Sequence, residues 1–377
     1  MKKKIETKLA PIIKWAGGKE SELKYIIPNS PLGFDNYYEP FVGGGSVFVS
    51  MKAKKYYIND KSEELISLYN AIAKNNKLFF NWISLISVSW KTMKNFRNIK
   101  SLLVEKYIDF REERMSQVKF DSYIRDLVSK YNKKFLNVLD DKLVWEREIL
   151  IKEIEKNLLS KTHRMYKIEK LRMPLCENDL YDNIETAFMS ALYMYYRYLY
   201  NNNEIIHNKE LVTALFVFIR NYSYSGMFRY NKNGDFNVPY GGIAYNSKLL
   251  DKKINYYMSD EILNLLNKTK IYCLDFEEFL NKTNPKSNDF IFLDPPYDSD
   301  FSTYSQNEFT KVDQIRLSKY MCNECKSKWM MIIKNTPFIY SLYSNKGLNI
   351  SKFNKNYLVS FMNRNNREAE HLLIKNY

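Results

Sequence analysis

Apolar positions along this chain follow two rhythms. Up to residue 74, and again after residue 243, they form short runs closed by glycine, proline or an acidic residue, as buried strands of an α/β sheet do. Lys55-Tyr56-Tyr57-Ile58, Lys270-Ile271-Tyr272-Cys273-Leu274, Phe290-Ile291-Phe292-Leu293 and Lys328–Lys334 are such runs, and Glu63 through Ala73 has the spacing of a helix. Phe301–Thr310 predicts a loop entering a helix capped by Thr310 or Asp313. The tail predicts two terminal strands joined by a polar loop at Asn363–Arg367.

From about Asn75 to about Leu211 the rhythm changes. Glycine disappears, and charged residues alternate with Leu, Ile, Phe and Tyr at helical spacing; Asp140–Leu159 predicts an amphipathic helix. After the apolar run Leu211–Ile219 comes Asn221–Gly242, where Asn233-Gly234 marks a tight turn between two polar-aromatic arms, the signature of a hairpin. The organisation expected is therefore an α/β domain made of residues 1–74 and 244–377. A mostly helical second domain, residues 75–243 with a ribbon at 220–242, is inserted into it.

Chemistry concentrates where a predicted strand runs into Asp294-Pro295-Pro296-Tyr297. Two prolines cannot continue a ladder, so the chain leaves the sheet in a fixed, extended form. A carboxylate, a ring and backbone carbonyls then stand at the carboxyl end of a strand, the edge where open α/β sheets bind ligands. Such a set suits an exocyclic amine such as the 6-amino group of adenine, whose lone pair is delocalised into the ring. Acceptors for its two N–H protons, Asp294 and the Pro295 carbonyl, draw the nitrogen towards a tetrahedral nucleophile, while Tyr297 offers a stacking face. A plain strand-ending turn is the structural alternative.

Two glycine clusters precede it. Lys14-Trp15-Ala16-Gly17-Gly18-Lys19 sets a cation and an indole around two glycines, which suits a small molecule carrying a carboxylate; the P-loop spacing is missing. Tyr37-Tyr38-Glu39-Pro40-Phe41-Val42-Gly43-Gly44-Gly45 has the strand, glycine turn and helix layout of a nucleoside-cofactor loop. Asn59-Asp60 closes the next strand, where an acidic residue binds ribose hydroxyls in nucleotide folds, and Asp275 closes a later one.

Composition adds three points. A formal charge of +15 favours an acidic partner, and 16% aromatic residues interleave stacking surfaces with that charge, as nucleic-acid contact requires, although an AT-rich genome gives the same bias. Arg229, Asn231, Lys232 and Asn237 project from a ribbon narrow enough for a DNA groove. Cys322 and Cys325, with the scattered His163, His207 and His371, fall short of the four ligands of a zinc site, so no metal is expected. The start lacks the apolar core of a signal peptide and no apolar run is long enough to span a bilayer. A cytoplasmic protein with reduced thiols, associated with the nucleoid through DNA, is expected.

Taken in order, KWAGGK at 14–19, EPFVGGGSVF at 39–48, Asn59-Asp60, FRYNKNGDFNVPYG at 228–241 and DPPY at 294–297 resemble the Dam-like class of DNA adenine methyltransferases over nearly the whole chain. The resemblance implies a Rossmann-like S-adenosylmethionine-dependent sheet with an inserted helical, hairpin-bearing DNA-recognition domain. It implies cofactor contacts from Trp15, Lys19, Glu39, Phe41, Gly43, Gly45, Asp60, Asp275 and Asp294. Asp294, Pro295, Pro296 and Tyr297 would hold a flipped adenine. In the hairpin, Tyr224 would be a wedge and Arg229 a base reader. Double-stranded DNA is the implied partner, and a cognate restriction endonuclease a further one. The stretch between Asp60 and the hairpin is longer than in compact members. Gly241-Gly242-Ile243 also stands where GATC-specific relatives carry a basic and aromatic pair, so the recognition sequence does not follow.

Two other classes fit some of these features. Methylation of another planar amide or amine, in glutamine or RNA, is usually associated with Asn before Pro-Pro-Tyr and lacks the hairpin domain. A DNA-binding module without catalysis has no need of an intact Asp294, Tyr297 and glycine turn.

Overall fold

The computed structural model describes residues 9–297, 309–356 and 368–377. Residues 301–308 of the loop expected after the Pro-Pro turn, and the expected polar loop 363–367, lie outside the described residues. The chain divides into two compact units, Met1–Lys74 with Tyr257–Tyr377, and Asn75–Tyr256.

The first unit is a mixed α/β structure around a seven-stranded sheet of β1 (Asn36–Glu39), β2 (Lys55–Asn59), β3 (Thr269–Tyr272), β4 (Phe290–Leu293), β5 (Lys328–Lys334), β6 (Asn349–Asn356) and β7 (Glu368–Lys375). The order is β3-β2-β1-β4-β5-β7-β6; β7 runs antiparallel to both neighbours and the other pairings are parallel. Parallel strands are covered on both faces and so read as unbroken apolar runs. All four residues of β4 and the five central ones of β5 are buried. On one face Tyr38, Ile291, Leu293, Trp329, Met331, Ile333, Leu372 and Ile374 pack with Phe276, Phe279, Leu280, Leu317, Ile339 and Tyr343 from three covering helices. Burial of each such large side chain is worth about 1.5–3 kcal/mol.

Strand order reverses between β1 and β4, which pair through Tyr37 with Phe290 and Tyr38 with Ile291. That reversal opens a crevice beyond the carboxyl ends of the strands. Asn59, buried at the end of β2, ties this edge together. Its Nδ2 donates to the carbonyls of Pro40 and Leu274, each at 3.0 Å, and its Oδ1 accepts from Leu274 N at 2.9 Å.

One boundary in this unit differs from the sequence reading. β3 stops at Tyr272, because Asp275 already caps the helix Phe276–Thr283 by accepting from Glu277 N. The first strand expected in the tail falls on residues 357–362, outside the described residues; Asn349–Asn356 before them is a strand.

The second unit is mostly helical, and Glu177–Asn201, with Tyr193, Tyr195 and Tyr196 buried, is its best-covered long helix. The helix expected over Asp140–Leu159 instead spans Arg147–Leu171. Its start is delayed because Glu146 takes a left-handed φ of 46°, after a short turn that Asp140 caps. The Tyr195 hydroxyl, lying 2.9 Å from Leu143 O and 2.7 Å from Trp145 O, pins that turn. No helix among the described residues is long and apolar enough to cross a membrane.

Candidate active site

At the end of β4 the chain enters the Asp294–Tyr297 turn, and Gln314, buried on the helix Lys311–Lys319, fixes it by donating from Nε2 to Pro296 O at 2.7 Å. Lys19 approaches from the amino-terminal segment. Its Nζ lies 2.6 Å from Asp294 Oδ2, donates to Gly17 O at 2.7 Å and to the Tyr297 hydroxyl at 3.3 Å, and stands 5.5 Å from the Tyr297 ring centroid. Gly17, with φ of 75°, supplies the backbone turn that brings its carbonyl under the ammonium. Lys19 is only 2% exposed, so this cation is committed to the turn and not to solvent.

Beside it lies the glycine turn. Gly43 and Gly45 have φ of 49° and 80°; a Cβ on Gly43 would stand 2.8 Å from Trp15 Cδ1, and one on Gly45 2.5 Å from the Tyr69 hydroxyl oxygen. Glycine is therefore required here both by conformation and by the close seating of Trp15 over the turn. Asp60, partly exposed, accepts from Gly43 N through Oδ2 and from Ser62 N through Oδ1, both at 3.0 Å. Burial raises its carboxyl above the usual range, backbone donors pull it down, and the charge of Asp294 raises it again.

Glu39 is buried at the end of β1 and accepts from the Tyr37 hydroxyl at 2.6 Å. Its carboxyl is pushed well above the usual range, first by burial; the Tyr37 bond opposes this, Asp294 and Asp60 add to it, and Lys19 lowers it. Phe41 meets Phe309 edge-on at 5.5 Å between centroids. Asp275 stands apart from this carboxylate group electrostatically: besides its capping bond, Oδ1 pairs with Arg316 Nη2 at 2.8 Å.

Glu39 and Asp60 thus both feel the charge of Asp294, while the Lys19 ammonium pairs with Asp294 and lowers Glu39. A ligand that brings positive charge fits this donor set, because it would offset the carboxylate repulsion that adds to the effect of burial at Glu39 and Asp60. The S-adenosylmethionine sulfonium and amino groups meet that requirement.

His371 was not singled out by sequence reasoning except as a rejected metal ligand. It is fully buried on β7, with Nε2 3.3 Å from the Tyr297 hydroxyl, Nδ1 3.2 Å from Ala369 O, and its ring stacked on Phe353. Gln314 and Asn59 were likewise not assigned. The sequence signal for His371 is weak, a polar residue standing between Glu370 and the apolar run Leu372–Ile374, and for Gln314 there was none.

The hairpin belongs to the second unit. Bridges join Ser223 to Tyr240 and Tyr230 to Phe236. The helix Glu177–Asn201 braces it: Asn201 exchanges two hydrogen bonds with the Phe236 backbone, at 3.0 and 2.9 Å, and Tyr193 donates to Val238 O at 2.9 Å. Tyr224 is half exposed beside Ser225, which takes a left-handed φ of 53°. Arg229 and Lys232 are exposed, and Arg229 Nε donates to Asn237 Oδ1 at 2.9 Å. The Asn231 side chain folds back into the turn, its Oδ1 accepting from Asn233 N and Asp235 N and its Nδ2 donating to Asp235.

The chain matches the profile of the D12 class N6 adenine-specific DNA methyltransferase over residues 15–359. It is 28% identical over 375 residues to Type II methyltransferase M.CviBI of Paramecium bursaria Chlorella virus NC1A, covering 98% of this chain and all of that protein. Type II methyltransferase M.MjaIII of Methanocaldococcus jannaschii is 25% identical over 97% of this chain and 99% of its own length. Retron Ec67 DNA adenine methylase of Escherichia coli is 24% identical over 89% and 81% respectively.

Proposed function

We propose how this chain, which belongs to the D12 class N6 adenine-specific DNA methyltransferase family, carries out its reaction. Its activity is transfer of a methyl group to the 6-amino group of adenine in DNA. The observation that carries the mechanism is the Asp294 carboxylate at the reversal point of the sheet, held by Lys19 at 2.6 Å beside a turn that Gln314 fixes.

S-adenosylmethionine supplies an electrophilic methyl group on a sulfonium. Trp15 and the turn at Gly43 and Gly45 would border it, Asp60 would bind the ribose, and Glu39, Phe41 and Asp275 would complete its surroundings. Lys19, whose donors go to Asp294, Gly17 and Tyr297, would act on the cofactor through its charge alone while holding Asp294 in place. An adenine inside a duplex is stacked and paired, so it must swing out to reach a crevice at the sheet edge. Tyr297 then stacks on the extruded ring. Asp294 accepts one N–H of the amine and the Pro295 carbonyl accepts the other, while Lys19 and Gln314 hold the turn in place. With both protons drawn into these acceptors, the nitrogen lone pair would be directed at the methyl carbon; the carbon–sulfur bond would break as the carbon–nitrogen bond forms, the neutral thioether would leave, and the surplus amine proton would depart through its acceptor, with no reorganisation of the preset turn.

The unit that carries the hairpin is the target-recognition part, with Tyr224 as wedge, Arg229 reading a base, and Lys232, Asn231 and Asn237 contributing to the same ribbon. Asn231 acts there by shaping the tip through its turn bonds. The Type II names of the relatives support a restriction–modification role in which a cognate endonuclease is blocked by the methylated site. The test is a methyl-transfer assay with duplex DNA, RNA and protein as acceptors, followed by sequencing of modified bases. Label on adenine 6-amino groups of duplex DNA at a short common sequence supports the reading; label on RNA or protein overturns it.

A further inference from the structure

We propose that His371 is a positioning residue for the methyl-transfer reaction: it holds the Tyr297 ring in its base-stacking orientation by accepting the Tyr297 hydroxyl proton. The inference rests on the reading of Tyr297 as the surface on which adenine stacks.

His371 Nε2 lies 3.3 Å from the Tyr297 hydroxyl and Nδ1 lies 3.2 Å from Ala369 O. A carbonyl can only accept, so Nδ1 carries the proton and Nε2 presents its lone pair to Tyr297. The hydroxyl therefore donates to His371 and accepts from Lys19 Nζ, 3.3 Å away on its other side. A phenol has one proton to donate, and this pair of neighbours uses it in a single direction. The chain Lys19, Tyr297, His371 anchors the far end of the Tyr297 ring, the end opposite its attachment to the backbone.

The histidine itself is immobile. It is fully buried, stacked on Phe353 with 5.6 Å between centroids and 29° between planes, and set edge-on to Tyr297 at 5.6 Å. β7 lies between β5 and β6, with His371 paired to Lys334 on one side and Phe353 on the other, so its backbone has ladder support on both edges. A polar side chain buried inside a sheet costs stability unless it is bonded, and here both ring nitrogens are used. That expense is explained if the ring serves the turn. A side chain that fixes a stacking ring acts on the geometry of the bound base, where a displacement of about 1 Å lowers rates steeply.

Single-turnover methyl transfer would be compared for wild type, His371→Phe, His371→Gln, Tyr297→Phe and the double variant His371→Phe/Tyr297→Phe, with affinities for S-adenosylmethionine and duplex DNA and the Tm of each. Phenylalanine keeps the ring and its stacking but accepts nothing; glutamine can still accept through its side-chain oxygen. His371→Phe is expected to slow transfer on the order of tenfold, the scale of one orienting hydrogen bond, with both affinities unchanged. Glutamine restores part of the rate, and the double variant is no slower than Tyr297→Phe alone. A wild-type rate in His371→Phe, or losses that multiply in the double variant, overturns the role. If His371→Phe does not fold, Tyr297→Phe decides: a wild-type rate there also overturns it. Asp294→Ala in the same assay separates the two levels. An active Asp294→Ala sinks the reading of the site; an inactive one beside a wild-type His371→Phe sinks only the role of His371.

Discussion

Lys19 Nζ and Asp294 Oδ2 lie 2.6 Å apart, and Lys19 has 2% of its side chain exposed while Asp294 has 19%. An ammonium this deeply enclosed, paired with one carboxylate oxygen, sets the orientation of the Asp294 carboxylate. Lys19→Met keeps the length and apolar stem of the side chain and removes the charge. Methyl transfer is expected to fall by about 1.5–3 kcal/mol of barrier, the worth of a hydrogen bond to a charged group. Duplex binding should stay within twofold of wild type, roughly 0.4 kcal/mol. Rapid-quench transfer and equilibrium DNA titration measure the two. An undiminished rate would detach Lys19 from the reaction.

Burial holds the Glu39 carboxyl well above the usual range. A raised carboxyl favours folding in its protonated form. That contribution is complete below the unfolded value of about 4.3 and is lost as pH rises through the folded value. Glu39→Gln has no proton to lose. Wild type should therefore lose stability relative to Glu39→Gln between the unfolded and the raised folded pKa, in the absence of cofactor. Adding S-adenosylmethionine, which brings positive charge, should narrow the difference. Urea unfolding of both proteins across that range checks the sign; parallel pH profiles would contradict it.

Asp60 engages the amides of Gly43 and Ser62 at 3.0 Å each, so its carboxylate joins the glycine turn to the start of the helix Glu63–Ala73. Asp60→Ala should weaken S-adenosylmethionine by about 1.5–3 kcal/mol, as a charged acceptor is lost. Duplex affinity should be spared. Calorimetric titration with the cofactor decides, and unchanged affinity would place the ribose elsewhere.

Arg229 and Lys232 lie on the same exposed hairpin but should fail differently. Arg229→Ala is expected to lose about 1–3 kcal/mol of discrimination at one base pair, the value of a bidentate base contact. Lys232→Ala should weaken all sequences alike and reduce the salt slope by roughly one counterion. Methylation profiled on a library of randomised sites, at two salt concentrations, tells reading from gripping. A preserved sequence preference in Arg229→Ala would move the reader into the helical stretch before the hairpin.

Much of the first unit was legible because its chemistry is local. The apolar runs of β4 and β5 are buried on both faces, and prolines, glycines and acidic strand ends mark where the chain turns towards the crevice. What stayed hidden depends on contacts distant in sequence. No local pattern brings Lys19 to Asp294 or His371 to Tyr297. The helix after Asp140 begins at Arg147 because the Tyr195 hydroxyl pins the preceding turn, and a helical periodicity cannot foresee a tyrosine on another helix. Asn231 looked like a groove contact, yet its side chain shapes its own turn, the habit of a residue that bonds the backbone two positions on.

The central claim is that Asp294 prepares the adenine amine for attack. The most direct measurement is the single-turnover rate of methyl transfer by Asp294→Ala at saturating S-adenosylmethionine and duplex DNA. A loss of a hundred- to a thousandfold is expected, about 2.7–4 kcal/mol for one preorganised electrostatic partner, with duplex binding largely intact. A rate near wild type in protein that binds both ligands would remove Asp294 from the mechanism.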